Sequence, residues 1–297
     1  MTWPVTHYDL CLTWNWEYDA DVVAMLEAAC LGRQRSVLQV TPHNLAAVCQ
    51  SLELGELSFA TLFDRASDEH SAFLPIVEWA VQHRLRCINH RDRAQSAWDK
   101  ATMHTEFLQA GIRTPRTLIL PAFSAQPELP SLDTAALGCC FVVKPACRGG
   151  GLGVVQDAQS PGDVDAARRL YPDDRYLLQR CVAPAALGAQ PAWFRVICCL
   201  GHVYLCWWDP VTHVYAPVTP AEESRFGLSR LRAMARSIAH ACGLELFSTE
   251  IALTAQGELM AVDYVNDPLD LRLQSRAAEG VPDGIVGSIA GRLAAWL

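Results

Sequence analysis

The chain has 297 residues, 51% of them hydrophobic and 19% charged, a composition that can bury several cores and excludes a disordered protein. The net charge of −8 and the lack of a long Lys/Arg stripe exclude a general nucleic-acid binder, although a local cluster and a metal ion could still hold an anionic nucleotide. No apolar run approaches a membrane span, and Met1-Thr2-Trp3-Pro4 lacks a basic region followed by an apolar stretch, so no membrane and no signal peptide are expected.

Residues 8 to 93 alternate apolar runs with helical patterns. Strands are predicted at Tyr8 to Trp14, Ser36 to Val40, Ser58 to Asp64 and Arg86 to Asn89. Helices are predicted at Ala20 to Leu31, after Pro42 with Asn44 as its cap, and at Ala72 to His83. Repeated strand–helix units imply a parallel sheet covered on both faces, with ligands beyond the carboxyl ends of the strands. That rim would carry Asn15-Trp16-Glu17-Tyr18-Asp19, Thr41 and Asp64-Arg65-Ala66-Ser67.

A different rhythm follows. A helix is predicted over 97–110, ended by Gly111-Ile112-Arg113-Thr114-Pro115, then a short strand at Leu118 to Leu120 and a Pro-rich loop from Pro121 to Pro130. Strands are expected at about 140–144, 153–156 and 175–179, with a helix near 162–170. Residues 193–200 and 203–208 read as a hairpin across Gly201-His202. A helix at about 227–242 precedes strands 246–253 and 258–265, and a closing helix runs from Val281 to Leu297. No repeat and no low-complexity tract is present.

Lys100 and Lys144 are the only lysines among 24 basic residues. A chain that otherwise uses Arg keeps Lys where a compact ammonium is needed, and phosphate sites are such places. Lys144 ends the apolar run Cys140-Phe141-Val142-Val143-Lys144-Pro145. The loop after it, Cys147-Arg148-Gly149-Gly150-Gly151-Leu152-Gly153, has four glycines in seven positions and offers backbone N–H groups to phosphate oxygens. It is neither a P-loop nor G-x-G-x-x-G, and fits the tip of a hairpin. Glu250, Asp263 and Asn266 lie on two apolar strands that could pair, an oxygen set suited to Mg²⁺. Arg195 stands in the apolar strand Trp193-Phe194-Arg195-Val196-Ile197, where a buried guanidinium needs a phosphate, a substrate carboxylate or a structural acid. Asp270 and Arg272 are candidate substrate contacts or an ordinary ion pair. Trp14, Trp16, Trp207 and Trp208 could wall a substrate or fill the core. The twelve cysteines show no CxxC and no zinc spacing, so reduced, mostly buried thiols are expected, and Cys147 is given no catalytic role.

Together these features resemble the ATP-grasp superfamily, in its glutathione synthetase-like and ribosomal protein modification ligase-like forms. Asp99-Lys100 and Ala110 to Pro115 resemble the family's opening helix and its exit turn. Phe141 to Pro145 with the glycines is similar to its second lysine and phosphate loop. Leu177-Leu178-Gln179-Arg180-Cys181-Val182 is placed like the hinge that holds adenine. Glu250 with Val262-Asp263-Tyr264-Val265-Asn266 resembles the metal-binding acids and acid-x-x-Asn. The resemblance implies an α/β chain with two α+β lobes clasping ATP, residues 94–297 (lid about 115–181, C-terminal lobe about 182–297). A Rossmann-like parallel α/β domain over 1–93 would precede them.

As implied by the resemblance, Lys100, Lys144, Arg148, Gly149, Gly150, Gly151, Gly153, Gln179, Arg180 and Val182 bind ATP. Glu250, Asp263 and Asn266 hold Mg²⁺ or Mn²⁺, and Arg195 and Arg272 serve catalysis. The expected activity is ADP-forming ligation of a small-molecule or peptide carboxylate to an amine acceptor through an acylphosphate. A small-molecule kinase and a non-catalytic nucleotide-binding protein are the alternatives. The protein is expected in the cytoplasm, with a homodimer allowed for. Two departures from the family stand out: Asp263 occupies a position more often Glu, and the segment after Asn266 is unusually acidic.

Overall fold

The computed structural model describes residues 5–129 and 132–297. Met1–Pro4 and the last residue of the Pro-rich loop, Pro130, lie outside them. The strands β1 (Thr6–Trp14), β2 (Val37–Val40), β3 (Leu57–Arg65) and β4 (Arg86–Ile88) form one parallel sheet in the order β2-β1-β3-β4. Between them run the helices α1 (Ala20–Leu31), α2 (Leu45–Glu53) and α3 (Leu74–Gln82). Each turns a few apolar residues inward, Val22, Val23, Leu26 and Cys30 in α1 and Ile76, Val77 and Ala80 in α3. The strands are apolar runs because both faces are covered. Asn44 precedes α2 without capping it: its Oδ1 accepts from Thr41 N at 2.8 Å and its Nδ2 donates to Gln39 O at 2.9 Å, tying down the β2 exit instead.

The expected helix over 97–110 is two helices, α4 (Arg91–Trp98) and α5 (Lys100–Gln109). Asp99 breaks them. It adopts an extended conformation, and its side chain accepts from the backbone of Ala101 and Thr102, starting α5 afresh with Lys100 in its first position. The second sheet combines β5 (Thr117–Leu120), β6 (Phe141–Pro145), β7 (Val155–Ala158) and β8 (Tyr176–Arg180) in the antiparallel order β5-β8-β6-β7, covered by α6 (Pro161–Leu170). β6 and β7 are the expected hairpin, with the glycine loop at its tip. β7 starts later than expected, at Val155, because Gly150, Gly151 and Gly153 all take positive φ and carry the loop farther.

After a two-residue ribbon, β9 (Ala186–Leu187) with β10 (Gln190–Pro191), comes the third sheet. It comprises β11 (Trp193–Cys199), β12 (His202–Trp208), β13 (Tyr215–Pro217), β14 (Leu246–Leu253) and β15 (Leu259–Asn266) in the antiparallel order β13-β12-β11-β14-β15. The helix expected at 227–242 is α7 (Pro220–Phe226) followed by α8 (Ser229–Cys242). α7 has its own capping box, Thr219 with Glu222, and ends at left-handed Gly227. One face of this sheet packs on α5 and α8. The other packs on α9 (Asp283–Trp296) and, through it, on α1 and the parallel sheet. Among the described residues no helix is long and apolar enough to cross a membrane.

Candidate functional site

The β14–β15 hairpin sets Glu250 opposite Asp263 and Ser248 opposite Asn266. In a regular strand Asp263 and Asn266, three apart, would point to opposite faces. The pairing slips by one residue on β15 at two places, between Ser248 and Glu250 and between Glu250 and Ile251. The first of these slips falls between Asp263 and Asn266 and turns the two to one side, where Asn266 Nδ2 donates to Asp263 Oδ2 at 3.2 Å.

Lys144 reaches this place from β6 of the second sheet. Its Nζ donates to Val262 O at 3.0 Å, stands 3.9 Å from Asp263 Oδ1, and lies 5.2 Å from the Tyr264 ring centroid, with the side chain only 8% exposed. Burial lowers the ammonium's pKa and nearby Lys100 lowers it further; Asp263 and Glu250 oppose that. For Asp263, burial pushes the carboxyl up, but Lys100, Lys144, Arg195 and the Asn266 amide together hold it below the ordinary carboxylate value. Lys100 reaches the glycine loop: its Nζ donates to Arg148 O at 2.5 Å and its backbone N to Ala146 O at 3.0 Å. The two lysines therefore flank one loop and one pair of carboxylates.

The loop's glycines differ in what they do. A Cβ at Gly153 would meet Tyr171 Cε2 at 2.6 Å, so this glycine lets the hairpin close on the aromatic ring. At Gly149, Gly150 and Gly151 a Cβ would meet nothing within 4 Å, which leaves their backbone free to approach a ligand. Arg148 lies over the Tyr171 ring at 4.6 Å and 3.7 Å from Asp174, half-exposed at the loop's base.

Arg195 has a protein partner. Its Nη1 donates to Glu250 Oε1, its Nε to Ser248 Oγ at 3.1 Å, and its guanidinium stands 5.0 Å from the Trp208 ring. Trp193 Nε1 donates to the other Glu250 oxygen at 3.0 Å. Thus the structural acid, left open as an alternative by the sequence, is the partner found. Arg272 likewise pairs with Asp270, Nη2 to Oδ2 at 2.7 Å, and its guanidinium lies 5.4 Å from Trp16 and 5.9 Å from Tyr18 on the rim of the parallel sheet. The four tryptophans form no single wall. Trp207 and Trp208 are successive strand residues in cores on opposite faces, and Trp16 is exposed.

Of the segment 179–182, Arg180 is exposed and Val182 half-buried, whereas Gln179 is only 2% exposed. The Gln179 side chain turns inward and donates to Tyr264 Oη at 3.2 Å; that hydroxyl also meets His104 Nδ1 at 2.9 Å, with Thr114 Oγ1 3.3 Å beyond. This chain of polar groups ties β8 of the second sheet, α5 and β15 together beneath Lys144. No local pattern signals it, because its members lie up to 160 residues apart.

Two carboxylates and an amide, all oxygen-bearing, suit a hard cation whose other positions are filled by water and phosphate oxygens. Among the described residues no cluster of three or more His, Cys, Asp or Glu side chains gathers to hold a metal, so the amide of Asn266 would have to be the third ligand.

No family model matches the chain, and no curated protein matches its sequence. Solved structures do match. The RimK domain ATP-grasp protein of Sphaerobacter thermophilus aligns with a TM-score of 0.61 at 18% identity, over 95% of this chain and 98% of that one. The D-alanine–D-alanine ligase of Bacillus anthracis, complexed with ATP, aligns with a TM-score of 0.64 at 12% identity, over 97% and 96%. The ATP-grasp ligase PsnB, complexed with a minimal precursor, Mg and ADP, aligns with a TM-score of 0.63 at 13% identity, also over 97% and 96%. The chain has the ATP-grasp fold.

Proposed function

We propose that the protein is an ATP- and Mg²⁺-dependent ligase that joins a carboxylate to an amine through an acylphosphate, releasing ADP and phosphate. The observation that carries this is the meeting of Lys144, Lys100 and the open glycines with Glu250, Asp263 and Asn266, from separate elements, in one partly exposed place. ATP and Mg named in complexes of fold neighbours support the cofactor assignment, and a bound precursor supports a peptide or small-molecule substrate. The parallel α/β unit would act as the domain preceding the clasp.

In this reading Lys100, Lys144 and the N–H groups of Gly149, Gly150 and Gly151 hold the phosphates, while Arg148 borders them. Arg180 and Val182 flank the adenine. Glu250, Asp263 and Asn266 would hold Mg²⁺, which supplies charge neutralisation. Phosphoryl transfer depends on positioning and charge, so no protein nucleophile is needed. The substrate carboxylate attacks the γ-phosphorus, the bond to the β,γ-bridging oxygen breaks, and ADP leaves. The amine then attacks the acyl carbon and displaces phosphate. Arg195, already oriented by Glu250 and Ser248, steadies the oxyanion formed in that second step.

The test is incubation with ATP and Mg²⁺ across carboxylate and amine panels while ADP, phosphate and products are measured. Phosphate release that needs both substrates is expected. A stable phosphorylated product would make the protein a kinase, and tight ATP binding without turnover on any panel would make it a binding protein.

A further inference from the structure

Six of the twelve cysteines are buried, fewer than their strand-like surroundings led us to expect, and three are exposed: Cys139, Cys147 and Cys181. Two of the exposed three gather with half-buried Cys140 at one end of the lid sheet. Phe141 pairs with Arg180 at the last position of the β6–β8 ladder, so Cys140 and Cys181 are the next residues out on each strand. The Cys181 thiol donates to Gln156 O on β7, across β6 from β8, at 3.9 Å, so the side chain reaches over the end of β6, where Cys140 stands. The proximity of Cys181 first, and of Cys139 second, raises the pKa of the Cys140 thiol. The core thiols differ: burial pushes those of Cys198, Cys199, Cys206 and Cys242 up to about 12 and keeps them inert.

From this arrangement we infer that Cys140 and Cys181 are a dithiol modification site that closes to an intramolecular disulfide when the protein meets peroxide. Cys181, the exposed member, reacts first. Its thiolate attacks one peroxide oxygen, the O–O bond breaks, hydroxide leaves, and Cys181 becomes a sulfenic acid. The Cys140 thiolate then attacks that sulfur, the S–O bond breaks, and the second oxygen leaves as hydroxide. Two thiols thus lose two electrons and two protons, and one peroxide becomes two waters. Cross-strand neighbours have Cβ atoms about 4.5–5.5 Å apart, just beyond the roughly 3.5–4.5 Å of a disulfide, so closing the bridge takes a small backbone shift at the free end of the ladder. The bridge would fasten the Cys181-Val182 connection, where the lid passes into the third sheet, to the root of the strand carrying Lys144.

The test is peptide mapping of the full chain, reduced and then exposed to graded hydrogen peroxide, with remaining thiols alkylated in denaturant. The expected result is a cross-linked peptide pair joining Cys140 to Cys181, a mass loss of about 2 Da and full reversal by dithiothreitol. The bridge should survive in Cys139→Ser and Cys147→Ser and vanish in Cys140→Ser and Cys181→Ser. Recovery of both thiols alkylated at a peroxide dose that oxidises Cys147 would overturn the inference. So would a bridge that persists in Cys140→Ser and is lost in Cys139→Ser, or sulfinic acid at Cys181 without cross-linking. The wild-type map alone decides the first and last of these, so a variant that folds poorly leaves the inference open to refutation.

Discussion

Two arginine–carboxylate pairs occupy comparable positions in different sheets, and their surroundings separate them. Arg65, at the end of β3, grips Asp19 with two bonds, Nη2 to Oδ1 at 2.6 Å and Nε to Oδ2 at 2.9 Å, and donates again to Leu269 O at 3.1 Å. Both side chains are almost wholly enclosed, at 3% and 2% exposure. Arg195 and Glu250, in the third sheet, keep 12% and 15%, and their neighbours leave charge over. Arg195, Lys144 and Lys100 act together on Asp263, so three cations face the two carboxylates Glu250 and Asp263. A closed, balanced pair needs nothing further and fastens the rim of the parallel sheet to the segment leaving β15. An open group with surplus positive charge is where a polyanion would settle.

Removing one member of each group should affect the two pairs in opposite ways. Lys144→Ala and Glu250→Ala are each expected to lower ATP-dependent phosphate release by at least about 10²–10³-fold, with the far-ultraviolet circular dichroism unchanged. Full activity in both variants would sink the site assignment. Arg65→Ala should do the opposite. It strands Asp19 in the core and should cost about 3–5 kcal/mol of stability in urea unfolding, while turnover per folded molecule stays near wild type. If Arg65→Ala were fully stable but inactive, the closed pair would be the functional one.

The parts of this contrast that sequence could reach are those that rest on residue type and local period. Apolar runs three to nine residues long between helical patterns mark the parallel strands, because strands covered on both faces carry little else. Two lysines in an arginine-using chain mark the place where Lys100 and Lys144 meet the loop. What could not be read depends on geometry across the chain. The irregular pairing of β15 that brings Asp263 and Asn266 to one side has no local signature, and neither has the enclosure of Arg65 by a carbonyl 204 residues away. The Asp99 break and α7 are a different matter. An Asp followed by α5, and Thr219-Pro220 with Glu222, are ordinary helix starts that an eye on apolar period alone passes over.

Open and enclosed surroundings also meet within the glycine loop, with smaller effects. Gly149→Ala adds a methyl that meets nothing within 4 Å, so stability should be unchanged, and any several-fold rise in the KM for ATP would report a ligand contact. Gly153→Ala puts the methyl against Tyr171 at a φ of +73°, and should destabilise the hairpin by about 1–3 kcal/mol, read as a lower urea midpoint. Equal structural damage from both substitutions would refute the division of labour among these glycines.

The pH dependence of stability reports whether the network under Lys144 is built for a neutral imidazole. His104 lies buried between Tyr264 and Thr114, and burial first, then the Lys144 charge, lowers its pKa from 6.5. A group whose folded-state pKa lies below its unfolded value stabilises the fold fully above the unfolded pKa and loses that contribution as pH falls through the folded value. Stability should therefore be level above pH 6.5 on this group's account and decline below it, as the unfolded chain takes up a proton that the folded one refuses. His104→Gln keeps a hydrogen-bonding side chain but cannot titrate, so the difference in urea midpoint between variant and wild type should narrow as the pH drops from 7 toward 5. A difference that stays constant across that interval would mean that His104 takes up its proton in the folded state as readily as in water, and that Lys144 does not sense it.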